Sequence, residues 1–465
     1  MHTMIISALV TGGSIVLLQL VCLALFAYVA WKVGKQRLRR GLKRLFTDNY
    51  PENLWEGVVG LRHVGVQRTI ENELRSSSAA PLLKPIGSDR PFPHFDGLLF
   101  IPAQLPKAAK STSVRVDLHT VLGRRTRRPM SISLPVMVTA MGYGVALSKA
   151  FSLAIAKGTA QVGTAFNTGQ GPVLPEHRTF AHRMVVQYHG ASWRPSADAL
   201  RQADMVEIRF GQGANAGCGT YVETAPLPPD VLADFGVNPS DPPQRLHIPP
   251  GIPGVSRTGD LKHLVDDLRA LSNGAPIALK MAAGHHLEQD IEMAVRAGVD
   301  VLVVDGAQGG THGSPAILVD DFGLPTLTAL CRAVRCLETL NARHQVDLVM
   351  SGGFRTPGDI LKAVALGADA VYIGTIALFA VAHTQILKPL PFEPPTQIAW
   401  VNGKFAQDFD MAEGARTLAD FLSSFAREME MGIRAVGKAS VRDLDRSDLV
   451  SWDTEVARVT NLPLV

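Results

Sequence analysis

The sequence predicts an α/β protein, a (β/α)8 TIM barrel preceded by one membrane-crossing helix. Three observations carry this reading. Eight short Val- and Ile-rich runs lie between Ser133 and Ile376. Most are separated by longer amphipathic stretches, the alternation of a parallel sheet with crossover helices. Upstream of them, residues 4–31 contain no charged residue. Eight parallel strands within about 250 residues meet the requirement of a closed barrel, with a doubly wound open sheet as the alternative.

The uncharged run, "MIISALVTGGSIVLLQLVCLALFAYVAW", exceeds the roughly 20 apolar residues that span a bilayer. A basic block follows it, "KVGKQRLRRGLKR", with seven Lys and Arg and no acid. The positive-inside rule then places residue 1 outside and the chain after Lys32 in the cytoplasm, single-pass. A cleaved signal peptide is the rival reading; it lacks a basic segment before the apolar run and a small-x-small cleavage site. The net charge of +4 comes from this block, and without it the rest of the chain sums to −3. No basic surface with interleaved aromatics remains, which argues against a nucleic-acid partner. The cluster "GRRTRRP" at residues 123–129 reads as a solvated loop.

Residues 32–132 form a basic juxtamembrane and irregular lead-in, with Pro- and Ser-rich pieces such as "SSSAAPLLKP" and "DRPFPHF". The barrel occupies 133–384. Its strands are expected at "SLPVMVTAM", "AQVGTAF", "MVVQYHG", "MVEIRFG", "PIALKMA", "VLVVDGA", "DLVMSGG" and "AVYIGTI". A long interruption from Asn215 to Leu261 follows the fourth strand, at the face where barrel active sites are built. Residues 385–465 read as a helical tail packed on the barrel, without strand alternation. The four cysteines, Cys22, Cys218, Cys331 and Cys336, form neither a disulfide framework nor a zinc pattern.

Polar residues end nearly every strand: Thr139 and Met141, Asn167, Gln187, Glu207 and Arg209, Lys280, Asp305, Ser351, Thr375. After the seventh and eighth strands come Ser351-Gly352-Gly353 and Gly374-Thr375, where barrels of this kind dock phosphate groups on backbone N–H. Lys280 ends an otherwise apolar strand, either as a rim lysine or as the cation beside a bound anion. In a flavin site such a cation stabilises the charge of the reduced ring. The loop "DGAQGGTHGSP", 305–315, is glycine-dense, which suits backbone packed against a planar ligand. His312 within it is a candidate general acid.

The stretches "EIRFGQGANAGCG", "DGAQGGTHGSP", "SGGFRTPGDILKAVALGADAVYIGT", "TAMGYGVALSKA" and "VGKASVRDLDRSDLV" together resemble the FMN-binding synthase domain of the glutamate synthase family. The resemblance covers roughly residues 45–460. It implies a (β/α)8 barrel with FMN, its phosphate held by Ser351, Gly352, Gly353, Gly374 and Thr375. It further implies that Lys280, Gln187, Thr139, Ala140 and Met141 contact the ring or ribityl, with Gly309 and Gly310 beside them. Glu207, Arg209, Gln212 and Asn215 would face a small-molecule substrate, and Lys280, Glu207 and His312 are the candidate catalytic residues. The implied reaction is reductive amination of 2-oxoglutarate to glutamate.

Three departures stand out. The family loop "GQGAKPGEGG" reads "GQGANAGCG" here, with Asn215 in place of a lysine. The turn "MSFG" is "MGYG", with Gly142 in place of serine. The three cysteines that follow the last strand in the family, ligands of a 3Fe–4S cluster, are missing from "IALFAVAHTQILKPLPFEPP", so no Fe–S cluster is expected. A different substrate, with electrons from a membrane or soluble donor, and a non-catalytic barrel scaffold are the alternatives.

Overall fold

The computed structural model describes residues 2–105 and 108–465; the side chains of residues 2–13, 15 and 16, part of the uncharged run, lie outside the described set. The chain divides into two compact units, Met1–Leu82 and Leu83–Val465.

The first unit is helical. One helix, His2–Thr47, takes in both the uncharged run and the basic block. It is long and apolar enough to cross a membrane, and a signal sequence near an N-terminus fits the same description. Shorter helices follow at Trp55–Val64 and Val66–Ser77.

The second unit is built on a closed barrel of eight parallel strands in sequence order. They are β1 (Val136–Val138), β2 (Ala165–Asn167), β3 (Arg183–Tyr188), β4 (Met205–Arg209), β5 (Ile277–Ala282), β6 (Val301–Asp305), β7 (Asp347–Ser351) and β8 (Ala370–Ile373). Six lie inside runs read from sequence, while Asn167 of β2 and Arg183 of β3 each extend one residue beyond theirs. Val371 of β8 registers with Val136 of β1, which closes the ring. The doubly wound alternative has no such closure and is excluded.

Alternation along the strands separates two cores. Met137, Ala165, Val185, Met205, Ala278, Val303 and Val349 fill the barrel's interior. Their neighbours, such as Val136, Val206, Leu279, Leu302 and Leu348, face the helices. Fully burying one such side chain is worth about 1.5–3 kcal/mol, so a one-residue slip in any strand is strongly disfavoured.

The "GRRTRRP" cluster is the solvated loop expected of it, with Arg124, Arg125 and Arg127 exposed. It turns a hairpin, Thr120–Leu122 with Met130–Ile132, whose Leu122, Met130 and Ile132 plug the barrel interior. The arginines pin that plug to the strand starts. Arg124 pairs with Asp369 at 2.7 Å and Asp347 at 3.1 Å, and Arg128 donates to Ser272 O at 2.9 Å. The N-terminal end is therefore sealed.

The tail is mostly helical, and its long helix Met411–Ala435 starts at Asp410, whose carboxylate accepts from Ala412 N and Glu413 N. Its buried face repeats at helical spacing, with Leu418, Leu422, Phe425, Met429 and Ile433 against the barrel core. At Gly158 of helix Lys149–Gln161 a Cβ would lie 2.7 Å from Ala415 O, so a glycine permits this close helix crossing. One element differs from the expectation of no strands: Leu449–Ser451 pairs antiparallel with Leu98–Phe100. Three residues are too few to show a period of two in the sequence.

Candidate active site

The strands' C-terminal ends open on one cavity of about 1130 Å³. Of the residues singled out from sequence, all but Asn167, Glu207, Arg209 and Asn215 line it. Those four are buried.

Lys280 forms part of the floor, 3% exposed. Its Nζ lies 3.4 Å from Asp305 Oδ2 and donates to Thr139 Oγ1 at 3.3 Å. It also stands 5.7 Å from the centroid of the Tyr372 ring. It is not a rim lysine; a buried ammonium needs such partners.

Deeper in the barrel a polar network replaces the apolar filling. Glu207 Oε1 accepts from Gln187 Nε2 at 2.7 Å and from Asn167 Nδ2 at 3.0 Å. Asn167 also reaches the Tyr372 hydroxyl at 3.1 Å. Burial, reinforced by Glu207, keeps the Tyr372 phenol neutral, well above its ordinary range. Arg209 is 1% exposed and none of its guanidinium nitrogens has a partner. Burial lowers its pKa to about 10, against the pull of Asp305, so it is a cation at neutral pH. Glu207 Oε2, Asp305 Oδ1, Gln170 Nε2 and His189 Nε2 are also buried without partners.

The two glycine turns behave differently. Gly352 and Gly353 have φ of 108° and 76°, which L side chains avoid. A Cβ on Gly352 would meet Thr326 Oγ1 at 2.8 Å and Gly306 O at 2.9 Å. The helix after this turn, Pro357–Ala365, caps itself. The carboxylate of Asp359 takes the N–H of Arg355 at 3.0 Å and of Thr356 at 3.2 Å. The second helix, Thr375–Ala382, has no side-chain cap, and its first residues line the cavity. Its opening N–H groups have no intrahelical partner, so the anion-binding capacity is concentrated at Gly374–Thr375.

The lead-in, irregular in sequence, forms a wall of this cavity from Pro85 to His94. His94 Nε2 is 3.0 Å from Gly353 O. Phe95 stacks on Phe354 with ring centroids 5.2 Å apart, and Lys362 Nζ donates to Phe95 O at 3.0 Å. These contacts clamp this segment to the first glycine turn.

The long loop after β4 is ordered, and of residues 212–260 only Gln212 lines the cavity. It carries a hairpin, Thr220–Glu223 with Arg245–Ile248, and a small core of Val222, Val231, Leu232, Phe235 and Ile248 with Tyr143. Tyr143 donates to Asp234 Oδ2 at 2.7 Å. Asn215, 5% exposed, is committed to the loop itself, its Oδ1 accepting Gly217 N at 3.2 Å. Gln212 reaches Thr311 Oγ1 at 3.4 Å. His312 is at the exposed rim, edge-on to Trp400 with centroids 4.8 Å apart. At Gly142 a Cβ would lie 2.7 Å from Gly171 N, so the serine of the resembling motif has no room here.

Sequence reasoning passed over Tyr372, His189 and Gln170. Two signals were available. Tyr372 alternates with Ala370 on the inward face of β8, and His189 follows Gln187 by two residues.

Comparison with known proteins agrees with this construction. The family model described as "Conserved region in glutamate synthase" matches residues 103–439. A glutamate synthase large subunit-like protein of Rhizobium meliloti is 31% identical over 84% of this chain and 92% of its own length. The archaeal-type glutamate synthase [NADPH] of Thermotoga maritima is 31% identical, over 78% of this chain and 76% of its own. Among solved structures, a mutant active chimera of (S)-mandelate dehydrogenase superposes with TM-score 0.51 at 14% identity, covering 77% of this chain and 88% of that one. A Pediococcus acidilactici lactate oxidase gives 0.50 at 17%, covering 77% and 84%; these two share the fold. The chain belongs to the glutamate synthase family, a family of oxidoreductases.

Proposed function

We propose that the barrel binds FMN and works as a membrane-anchored oxidoreductase on a small 2-oxo or amino acid. One observation carries it: a buried lysine and two glycine turns converge on one cavity, with an uncapped helix start at its anion end. The residues fit the cofactor. Gly374 and Thr375, with Ser351, Gly352 and Gly353, would hold the phosphate. Thr139, Ala140, Met141, Gln187, Gly309 and Gly310 would line the ribityl and ring. FMN bound there would supply two-electron hydride chemistry.

The chain's own residues supply the rest. Lys280 offers positive charge at the floor, kept in place by Asp305 and Thr139. Glu207, fixed by two amide donors, keeps one oxygen free for a substrate proton or N–H. His312 at the rim is available to exchange protons with solvent. The nominal reaction is reductive amination of 2-oxoglutarate to glutamate. With four cysteines spread between Cys22, Cys218 and the helix bearing Cys331 and Cys336, electrons would reach the flavin without a cluster, from a membrane or soluble donor.

For the anchor, the supporting features are the uncharged run, the basic block that follows it and the single helix through both. They support a barrel on the cytoplasmic side.

The test is the absorbance of detergent-extracted full-length protein. Flavin bands near ~450 nm, released by acid as FMN, are expected. A colourless protein that cannot be loaded with FMN overturns the reading. Release of the chain from membranes by alkaline carbonate alone would overturn the anchor.

A further inference from the structure

We propose that the chain has a second ligand site, outside the barrel wall, which takes a small apolar molecule with one positive charge: an amine on a hydrocarbon or aromatic body. This site is separate from the first cavity and stands whether or not a flavin occupies that one.

The space is a second cavity of about 540 Å³, within the roughly 300–1,000 Å³ of small-ligand pockets. Strand β5 separates the two. Lys280 lines the first cavity, while its neighbours Leu279 and Met281 line the second, as alternation along a strand requires. From the helix side come Leu261 of Thr258–Leu271 and Met293 of Leu287–Ala297. Phe210 and Phe322 complete an apolar lining. A hydrocarbon body gains by leaving water for such a surface.

The polar part of the lining selects the head group. Its titratable residues are His285, Asp290 and Asp321, and no Lys or Arg is among them. Asp321 is already paired with Arg90. The Asp290 carboxylate accepts no hydrogen bond and makes no ion pair among the described residues. Burial raises it from 3.8, against the pull of His286. An ammonium group brings both the charge and the N–H donors that this carboxylate lacks. A neutral head leaves the charge unpaired, and an anionic head meets a charge of its own sign.

The cavity also shares a loop with the first one. Phe210, Gly211, Ala216 and Gly217 line it, and Gln212 between them lines the first cavity. A ligand seated here therefore touches the chain on both sides of Gln212.

The experiment uses full-length protein in detergent and three probes of matched shape: 2-phenylethylamine, 2-phenylethanol and 3-phenylpropanoate. Calorimetry against protein-free micelles reads affinity, and hydrogen exchange reads location. The amine is expected to bind about tenfold more tightly than the alcohol, and the acid more weakly still. Exchange should slow across residues 210–217 and 282–293. Asp290→Asn should bring the amine down to the level of the alcohol. At Gly284, which lines the cavity, a Cβ meets nothing within 4 Å, so Gly284→Leu should weaken the amine and the alcohol alike without displacing other side chains. Both variants should keep the flavin content and melting temperature of the wild type. Equal binding of the three probes, no binding of the amine, protection elsewhere in the chain, or amine affinity unchanged in both variants overturns the proposal.

Discussion

Lys280 and Asp305 end adjacent strands of the barrel, with Nζ 3.4 Å from Oδ2 and side chains 3% and 7% exposed. Neither charge has bulk water to fall back on, so each makes the other tolerable. Removing one partner leaves a buried unpaired ion, a loss of about 3–5 kcal/mol. Lys280→Met should therefore lower unfolding free energy by roughly 3 kcal/mol in a denaturant titration. The double variant Lys280→Met with Asp305→Asn should recover most of it. The flavin reduction potential should fall in both, because only the cation near the ring sets it. A double variant as unstable as the single one would show that the pair is not the unit.

Gly352 tests the first turn. With φ of 108° and backbone at 2.9 Å from the position of a Cβ, Gly352→Ala should cost about 1–3 kcal/mol and reduce FMN retention. Gly358, six residues on and in the self-capped helix, has only Thr356 Oγ1 at 3.6 Å. Gly358→Ala should be neutral or stabilise by up to about 1 kcal/mol. Equal losses in the two variants, measured by thermal unfolding and flavin content, would mean that the turn geometry is not the cause.

The loop after β4 has one polar tie to the loop after β1 that can be removed cleanly. Tyr143→Phe deletes the 2.7 Å bond to Asp234 while keeping the ring in its apolar cluster. A hydrogen bond to a carboxylate is worth about 1.5–3 kcal/mol. Hydrogen exchange should speed up across residues 220–248 and stay unchanged in the barrel strands. Uniform acceleration through the whole barrel would contradict a loop that opens on its own.

The barrel was legible because each strand is a run of adjacent apolar residues, buried on both faces, and such runs stand out in one dimension. Lys280 and the glycine turns were legible for the opposite reason, as interruptions of those runs. What escaped depends on contacts between distant segments. Nothing local in "DRPFPHF" says that it lies against Gly353, nor that the hairpin turned by "GRRTRRP" plugs the barrel through Leu122 and Met130. The glycine pair at 352–353 signalled a close approach correctly. The sequence could not tell whether Asp359 would take the N–H groups of Arg355 and Thr356 just before the helix, which shifts the anion end to Thr375. Arg209 was placed near the substrate by resemblance. Its lack of any protein partner is visible only once the neighbours are assembled.

Acid stability provides the last prediction. His177 is fully buried, its Nδ1 accepting Leu174 N at 3.1 Å and its Nε2 3.0 Å from Ser152 Oγ. Burial pulls its pKa from 6.5 to about 4, and His189 moves likewise. The folded protein therefore favours neutral imidazoles that the unfolded chain protonates near 6.5. Stability from each is complete above that pH and is lost as pH falls toward 4, at about 1.4 kcal/mol per unit. Asp347 acts in the opposite sense. Burial and Asp369 raise its pKa from 3.8 to about 6, so its ionised form strains the fold above pH 6 and protonation relieves this on the way down. Unfolding free energy should thus decline from pH 6.5 to 4.5 with two contributions against one. His177→Gln should flatten that decline and Asp347→Asn should steepen it, each by about 1.4 kcal/mol per unit. Denaturant titrations at three pH values decide it, and parallel profiles for wild type and His177→Gln would rule out the buried imidazole as a source of acid lability.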